Sequence, residues 1–169
     1  MASSDRDAVD RIAEQWHTVR PDVDVSPMEV IGRVSRLSRL VDRKLAENFA
    51  RHGIEAWMYD VLATLRRSGE PYELTAGELG DQTMITTGAM TNRIDRLGER
   101  GLVERDTAPD DRRKVIVRLT PAGLALVEEI APGHLEVERG ILSTLTDRQR
   151  SQLVDTLRTL LLGLNDRPW

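Results

Sequence analysis

The sequence predicts a mainly α-helical protein that carries one small β-hairpin. Apolar residues recur at helical spacing along most of the 169 residues. Two short helical segments are joined by a tight turn near residue 85. A charged loop between two short apolar strands then follows within residues 102–119. This order of elements is that of a winged helix-turn-helix with further helices on both sides.

Two amphipathic helices are predicted before the helix-turn-helix. The first covers residues 5–19 and ends before Pro21, because apolar side chains recur there at intervals of three and four. Ser26 followed by Pro27 is typical of an N-cap with proline at the first helical position, and it opens the longest helix. One stripe of that helix is apolar, and another face is basic, which we interpret as solvated: Arg33, Arg36, Arg39 and Arg43.

The central elements follow from local signals. Residues 54–68 form an apolar helical pattern that ends at Gly69, and Thr75 with Glu78 is a capping box that opens a short helix. Thr86 or Thr87 caps the next helix, which turns three apolar side chains inward: Met90, Ile94 and Leu97. Residues 102–103 and 115–119 are the strands of the hairpin, or wing.

Two C-terminal helices complete the prediction. Thr120 and Pro121 repeat the N-cap and proline signal, and Thr146 with Gln149 forms a second capping box. The apolar faces of the terminal helices exceed what a winged-helix core of about 65 residues covers, which favours a two-fold homodimer. The alternative is that these helices pack on one another within a single chain.

The helix that begins near residue 86 has the composition of an element that enters a DNA major groove. Short side chains and hydrogen-bonding groups mark its candidate DNA contacts: Thr86, Thr87, Gly88, Thr91, Asn92 and Arg96. At the tip of the wing, Arg112 and Arg113 are candidates for a narrow minor groove, with Asp111 orienting Arg113. The alternatives are a capped surface helix and an ordinary hydrophilic hairpin tip.

The composition and the motifs limit the classes of function that the protein can have. Residues 86–120 hold eight basic and six acidic side chains, whereas the whole chain has 24 basic and 28 acidic ones and a net charge of -4. The sequence has no cysteine and three scattered histidines, so no metal site is expected. It shows no catalytic set or phosphate loop, and we expect neither enzyme activity nor a cofactor. Without a membrane span or signal peptide, a cytoplasmic protein is expected.

The combination of motifs resembles the MarR family of bacterial transcription regulators. The wing reads Asp111-Arg112-Arg113 and is followed after five residues by Leu119-Thr120-Pro121, and the helix before it contains Thr-Asn-Arg-Ile-x-Arg-Leu from residue 91. The resemblance covers about residues 28–164. It implies three regions: N-terminal helices for dimerisation and an effector pocket in residues 1–52, a DNA-binding winged helix-turn-helix in 53–120, and C-terminal dimerisation helices in 121–169.

An added N-terminal helix with a tryptophan is similar to the urate-responsive branch of that family. In that branch a Trp, an Asp and two Arg residues form the effector pocket, and matching motifs place them at Trp16, Asp60, Arg93 and Arg105. The resemblance implies an anion pocket for a urate-like purine or a tricarboxylate such as aconitate. The alternatives are that Asp60 forms a structural salt bridge with Arg93 or Arg105, and that Trp16 is a core residue.

The sequence thus predicts a homodimeric DNA-binding regulator that acts as a repressor on a pseudo-palindromic operator in double-stranded DNA and is released by a small anion. One rival function is a winged-helix module that binds proteins without a DNA target or a ligand response. An enzyme is the weaker rival.

Overall fold

The computed structural model describes residues 6–107, 111 and 114–166. Within these residues the chain forms seven helices and three strands. They are α1 (Ala8–Val19), α2 (Ser26–Arg51), α3 (Ala56–Arg67), β1 (Glu73–Thr75), α4 (Ala76–Thr83), α5 (Thr87–Glu99), β2 (Val103–Thr107), β3 (Val115–Leu119), α6 (Pro121–Leu142) and α7 (Asp147–Gly163). The chain divides into two compact units, Met1–Lys44 and Leu45–Trp169.

The N-terminal unit contains α1 and the first part of α2. Asp7 is the N-cap of α1 and forms a capping box with Asp10, so the first turn of the helix has its free amides satisfied. Arg33 on α2 donates to both carboxylates, at 2.8 Å from Asp7 and 2.6 Å from Asp10. Arg33 is therefore ion-paired within the N-terminal unit, on the basic face that the sequence predicts to be solvated.

The start of α2 differs by one residue from the sequence prediction. The helix begins at Ser26 itself, so Ser26 is not the residue that precedes the helix. The Asp24 carboxylate accepts a hydrogen bond of 2.9 Å from the Ser26 amide and thereby satisfies one of the first free donors. Pro27 still lies in the first turn, where its missing N–H costs nothing.

The C-terminal unit is built around one apolar core. Its largest fully buried side chains come from α3, α4, α5, β3 and α6: Leu62, Leu65, Leu79, Met90, Ile94, Leu97, Val117 and Ile130. The inward row predicted for α5 is confirmed, because Met90, Ile94 and Leu97 are all at most 2% exposed. This core fixes α5 on one side and leaves its opposite side at the surface.

The wing belongs to a three-stranded antiparallel sheet in the order β1-β3-β2. β3 lies in the middle, where Val117 pairs with Leu74 of β1 and with Arg105 of β2. β3 is confirmed at the predicted residues 115–119, whereas β2 runs on to Thr107 where only residues 102–103 were predicted, and β1 was not predicted. Three residues between a proline turn and a helix cap are too few to show an alternating pattern, so the strand is defined by its pairing with β3.

The entry into α6 is held close to the wing. Thr120 caps the helix by accepting from the Gly123 amide at 3.0 Å, and Pro121 occupies the first turn, as the sequence predicted. A Cβ atom at Gly123 would overlap the carbonyl oxygen of Leu102. Glycine at this position therefore permits the close approach of α6 to the residue that precedes β2.

The terminal helices expose large apolar side chains. In α7, which the structure describes completely, no residue is buried and Leu161 is 48% exposed, while Leu164, the C-cap residue that follows it, is 79% exposed. In the N-terminal unit, Val30 and Leu37 of α2 are 53% and 49% exposed. Among the described residues, no helix combines the length and the apolar character that crossing a membrane requires.

Candidate nucleic-acid interface

The helix-turn-helix consists of α4, a tight turn and α5. Thr75 and Glu78 form the predicted capping box at the start of α4, with the Glu78 carboxylate 2.8 Å from the Thr75 amide. The helix ends at Met84, which has a left-handed backbone with φ of 55°. Ile85 then donates to the carbonyl of Gly80 at 2.9 Å, and a Cβ at Gly80 would lie only 3.1 Å from the Ile85 carbonyl oxygen. Glycine at position 80 thus keeps the turn tight.

The exposed side of α5 carries most of the predicted groove contacts. Thr86 is the N-cap residue, and Thr87 is the first residue of the helix. Thr86, Gly88, Thr91 and Asn92 are exposed, and we call these four residues the reading face. Because Met90 and Ile94 are buried on the other side, the reading face is the side of α5 that is available to a DNA groove.

Arg96 lies beside the reading face in a second row with Arg93 and Arg100, which we call the arginine row. Arg96 donates to a carboxylate oxygen of Glu55 at 2.6 Å, and its guanidinium carbon lies 4.7 Å from the centre of the Trp57 ring. Arg93 lies over the same ring at 5.4 Å. Arg100 donates to the carbonyl of Gly53 at 3.0 Å. The arginine row therefore faces the start of α3.

The wing contributes Arg105 on β2 and the charged loop that follows it. Arg105 forms an ion pair with Asp95 of α5, and both side chains are nearly half exposed. Asp111 is partly buried, and its carbonyl accepts from the Lys114 amide at 2.9 Å. The predicted contacts at Arg112 and Arg113 lie outside the described residues.

Asp60 of α3 is exposed in the single chain, contrary to the expectation of a closely packed carboxylate. Neighbouring atoms nevertheless displace enough water to raise the pKa of Asp60 above its ordinary value, while the positive charges of Arg67 and Arg93 lower it. Arg105, one of the two alternative partners expected for Asp60, is paired with Asp95. Of the two partners proposed from the sequence, Arg93 is the one whose charge acts on Asp60.

Trp16 belongs to the N-terminal unit and is 41% exposed, so within the single chain it is not a closed core residue. It lines a cavity of about 240 Å³ together with Val23 and Asp24 of the α1–α2 connection and Pro27 of the first turn of α2. The cavity walls are mainly apolar, and Asp24 is the charged residue among those that line it. An aromatic surface is thus available on this unit.

Sequence reasoning missed Glu55, Trp57 and Asp95 as parts of the site. Arginines at positions 93, 96 and 100 follow helical spacing, which could have revealed that they share one side of α5. Nothing in the local sequence shows that this side meets the beginning of α3, because that contact depends on the tertiary packing. Among the described residues, no group of acidic or histidine side chains is arranged to hold a metal ion.

The fold and the exposed reading face define a winged helix-turn-helix transcriptional regulator that binds DNA. A MarR family model matches residues 52–114. The chain is 41% identical to the HTH-type transcriptional regulator PecS of Dickeya dadantii over 145 residues, which cover 86% of this chain and 87% of that protein. It is 32% identical to the multiple antibiotic resistance protein MarR of Escherichia coli over 143 residues, covering 80% and 95% of the two chains. This chain belongs to the MarR family.

A solved structure supports the same assignment. The MarR family transcriptional regulator Sco3205 of Streptomyces coelicolor, crystallised in complex with DNA, superposes with a TM-score of 0.77 at 26% identity. The match covers 84% of this chain and 89% of that one. The similarity therefore extends well beyond the winged helix-turn-helix itself.

Proposed function

We propose that this protein is a homodimeric repressor that binds a pseudo-palindromic operator and is released by a small anion. The observation that carries the DNA-binding part is the reading face on α5, exposed beside the wing while Met90, Ile94 and Leu97 anchor the helix from behind. Two copies would place two reading faces in successive major grooves about 34 Å apart. Affinity should fall steeply with salt, because phosphate neutralisation releases counterions.

The proposal assigns a role to each of the three regions. Residues 1–52 contribute to dimerisation and the effector pocket, residues 53–120 bind DNA, and residues 121–169 contribute to dimerisation. The exposed apolar side chains of α7 support the last role, because a second copy would remove them from water. The DNA complex of Sco3205 supports the DNA-binding role of the middle region.

The effector pocket is assigned to Trp16, Asp60, Arg93 and Arg105. A planar anion, either a urate-like purine or a tricarboxylate such as aconitate, would bind the Arg105 guanidinium and stack on Trp16. Its negative charge would repel Asp60 and attract Arg93, which lies on α5. Ligand binding would therefore act directly on the helix that carries the reading face.

The ion pair between Arg105 and Asp95 adds a second route to release. An anion that takes the Arg105 guanidinium leaves the exposed Asp95 carboxylate of α5 without this partner. A negative charge freed beside the reading face then repels DNA phosphates. A coupling of about 1–3 kcal/mol, or about fivefold to 150-fold in affinity, is sufficient for this kind of control.

The test is operator binding by the parent and by Arg105→Ala, using a duplex from the promoter region of its own gene, with and without urate, purine and tricarboxylate anions. We expect an active anion to weaken binding by the parent, and to raise its melting temperature in a thermal-shift screen. Arg105→Ala should lose the response. Arg118→Ala is the matched control, because Arg118 is an ion-paired arginine of the neighbouring strand that lies outside the pocket. If Arg105→Ala still releases DNA like the parent, the pocket is wrongly placed.

The rival function is a winged-helix module that binds proteins and has neither a DNA target nor a ligand response. A failure of the parent to bind duplex DNA in a salt-sensitive manner would favour that rival. A thermal-shift screen in which no anion raises the melting temperature would remove the effector part and leave DNA binding in place.

A further inference from the structure

The surroundings of Arg96 differ from those of the reading face. Arg96 borders the exposed side of α5, but its guanidinium is held by Glu55 at 2.6 Å and rests against the Trp57 ring at 4.7 Å. Glu55 is the N-cap residue of α3, and Trp57 lies in the first turn of that helix. The arginine that the sequence assigns to DNA is thus engaged by a carboxylate of its own chain.

Glu55 keeps its negative charge under ordinary conditions. Hydrogen bonds from the Trp57 side chain and from Arg96 lower the pKa of Glu55, and the positive charges of Arg96 and Arg100 act in the same direction. Both members of the pair remain accessible, with 47% of the Arg96 side chain and 57% of the Glu55 side chain exposed. An anion from outside can therefore reach Arg96 without unfolding any element.

The strengths of the two interactions decide which partner Arg96 takes. An exposed ion pair contributes little, because water and salt screen it and two long side chains must be ordered. DNA offers Arg96 either a phosphate or a guanine edge, and a well-placed guanidinium makes two parallel hydrogen bonds there. Properly docked DNA can outcompete Glu55, whereas loosely docked DNA, whose phosphates are not in register, gains less from the exchange.

We propose that Glu55 limits the affinity of this protein for DNA, because it holds Arg96 against Trp57 and must release it before Arg96 can contact DNA. The proposal rests on the proposed operator binding. In a non-cognate complex Arg96 remains with Glu55 and contributes no phosphate contact. In the operator complex Arg96 leaves Glu55 and contacts DNA, so operator binding is weakened by the free energy of the pair, and non-cognate binding only by the smaller phosphate contact that Arg96 does not make.

The test compares Glu55→Gln with the parent on two duplexes of equal length, one from the promoter region of its own gene and one with a scrambled sequence. We expect Glu55→Gln to bind the scrambled duplex about twofold to fivefold more tightly, and to steepen the dependence of log affinity on log salt there by about one. Affinity for the promoter duplex should rise by at least as much, because Arg96 no longer has to leave Glu55, while the salt dependence on this duplex stays that of the parent.

Two further variants isolate the pair. Glu73→Gln changes the net charge equally and also removes a carboxylate that is paired with an arginine, but its partner Arg118 is not on α5. It should leave the affinity for both duplexes, and the salt dependence on the scrambled duplex, near those of the parent. In the Arg96→Ala background, Glu55→Gln should have no further effect, because the arginine that Glu55 holds is then absent. Circular dichroism checks that each variant is folded.

The outcomes separate the inference from the function on which it rests. If the parent binds the promoter duplex and Glu55→Gln changes neither affinity nor salt dependence, the inference is wrong and operator binding stands. Weaker binding by Glu55→Gln would show that Glu55 orients Arg96 toward DNA, which contradicts the inference as well. An effect that persists in the Arg96→Ala background also overturns it. A parent that binds neither duplex at low ionic strength overturns operator binding itself.

Discussion

Two helices of the C-terminal unit, α3 and α7, differ in the burial of their apolar side chains. Five of the 12 residues of α3 are buried, and Val61, Leu62 and Leu65 are fully enclosed. None of the 17 residues of α7, all of them described, is buried. Its large apolar side chains are among the exposed ones, and Val154, Leu160 and Leu161 are 42–52% exposed. Two amphipathic helices of the same unit thus differ in whether their apolar side chains are buried in the folded chain.

The difference shows which apolar side chains a single chain buries by itself and which would need the surface of another molecule to be buried. The winged helix-turn-helix closes its own core, so the reading face has a rigid support within a single copy. The apolar row of α7 remains in water, at a cost of about 25 cal/mol for each Å² of apolar surface. We therefore expect substitutions in α3 to act on folding and substitutions in α7 to act on assembly.

Leu62→Ala should have the largest effect on stability. The side chain is fully buried in α3, and its truncation leaves a cavity that the surrounding core cannot fill. We expect the free energy of unfolding to fall by about 2–5 kcal/mol, measured by urea denaturation. Leu164→Ala is the control, since this side chain is 79% exposed in the single chain. Equal losses in the two variants would contradict the contrast between α3 and the end of α7.

Leu161→Asp should instead break the assembly. A charge within the apolar row of α7 opposes its burial against a second copy, whereas the core of the winged helix-turn-helix does not contain this residue. We expect the molar mass to fall to that of one chain by light scattering, and operator affinity to fall by about a hundredfold because two linked sites become one. Gln152→Asp, an exposed polar position of the same helix, should stay dimeric. A dimeric Leu161→Asp would show that α7 is not at the interface.

Thr75→Ala should have a smaller effect, which acts on the helix-turn-helix itself. The Thr75 hydroxyl accepts from the Glu78 amide at 3.2 Å, so its loss leaves a free donor at the start of α4. We expect a loss of about 1 kcal/mol in the free energy of unfolding. Thr75→Ser keeps the hydroxyl and should recover most of the stability. A Thr75→Ala variant as stable as the parent would show that the capping box does not stabilise the protein.

Asp60→Asn should have the smallest effect, and its sign depends on pH. Since the folded chain raises the pKa of Asp60, the folded state holds the proton more tightly, and stability falls as pH rises from the ordinary value of 3.8 through the raised one. At neutral pH the ionised carboxylate therefore opposes folding slightly. We expect Asp60→Asn to melt at or slightly above the parent at neutral pH, with the difference disappearing in acid. A clear loss of stability at neutral pH would mean that Arg67 and Arg93 outweigh the desolvation of Asp60.

The elements that could be predicted from the sequence are those that depend on neighbours along the chain. The two capping boxes beginning at Thr75 and Thr146, the proline start of α6 and the inward row of α5 are all confirmed. Each depends on residues within one or two helical turns, so local spacing carries the whole signal.

The contacts that escaped prediction join elements that are distant in sequence. β1 is defined by pairing with β3, Arg105 meets Asp95 rather than Asp60, and Arg96 meets Glu55 at a separation of 41 residues. For each of these arginines the sequence offers several carboxylates that could form an ion pair equally well. Only the packing of α3, α5 and the sheet selects among them, so residue types alone left the alternatives open.

The central claim is that two copies of the chain, joined through their terminal helices, present two reading faces to one operator. Native mass spectrometry of the protein with a duplex from the promoter region of its own gene tests this claim directly. We predict complexes of two chains per duplex for the parent, and their loss for Leu161→Asp at the same concentration. A complex of one chain per duplex that forms equally well with both proteins would contradict it.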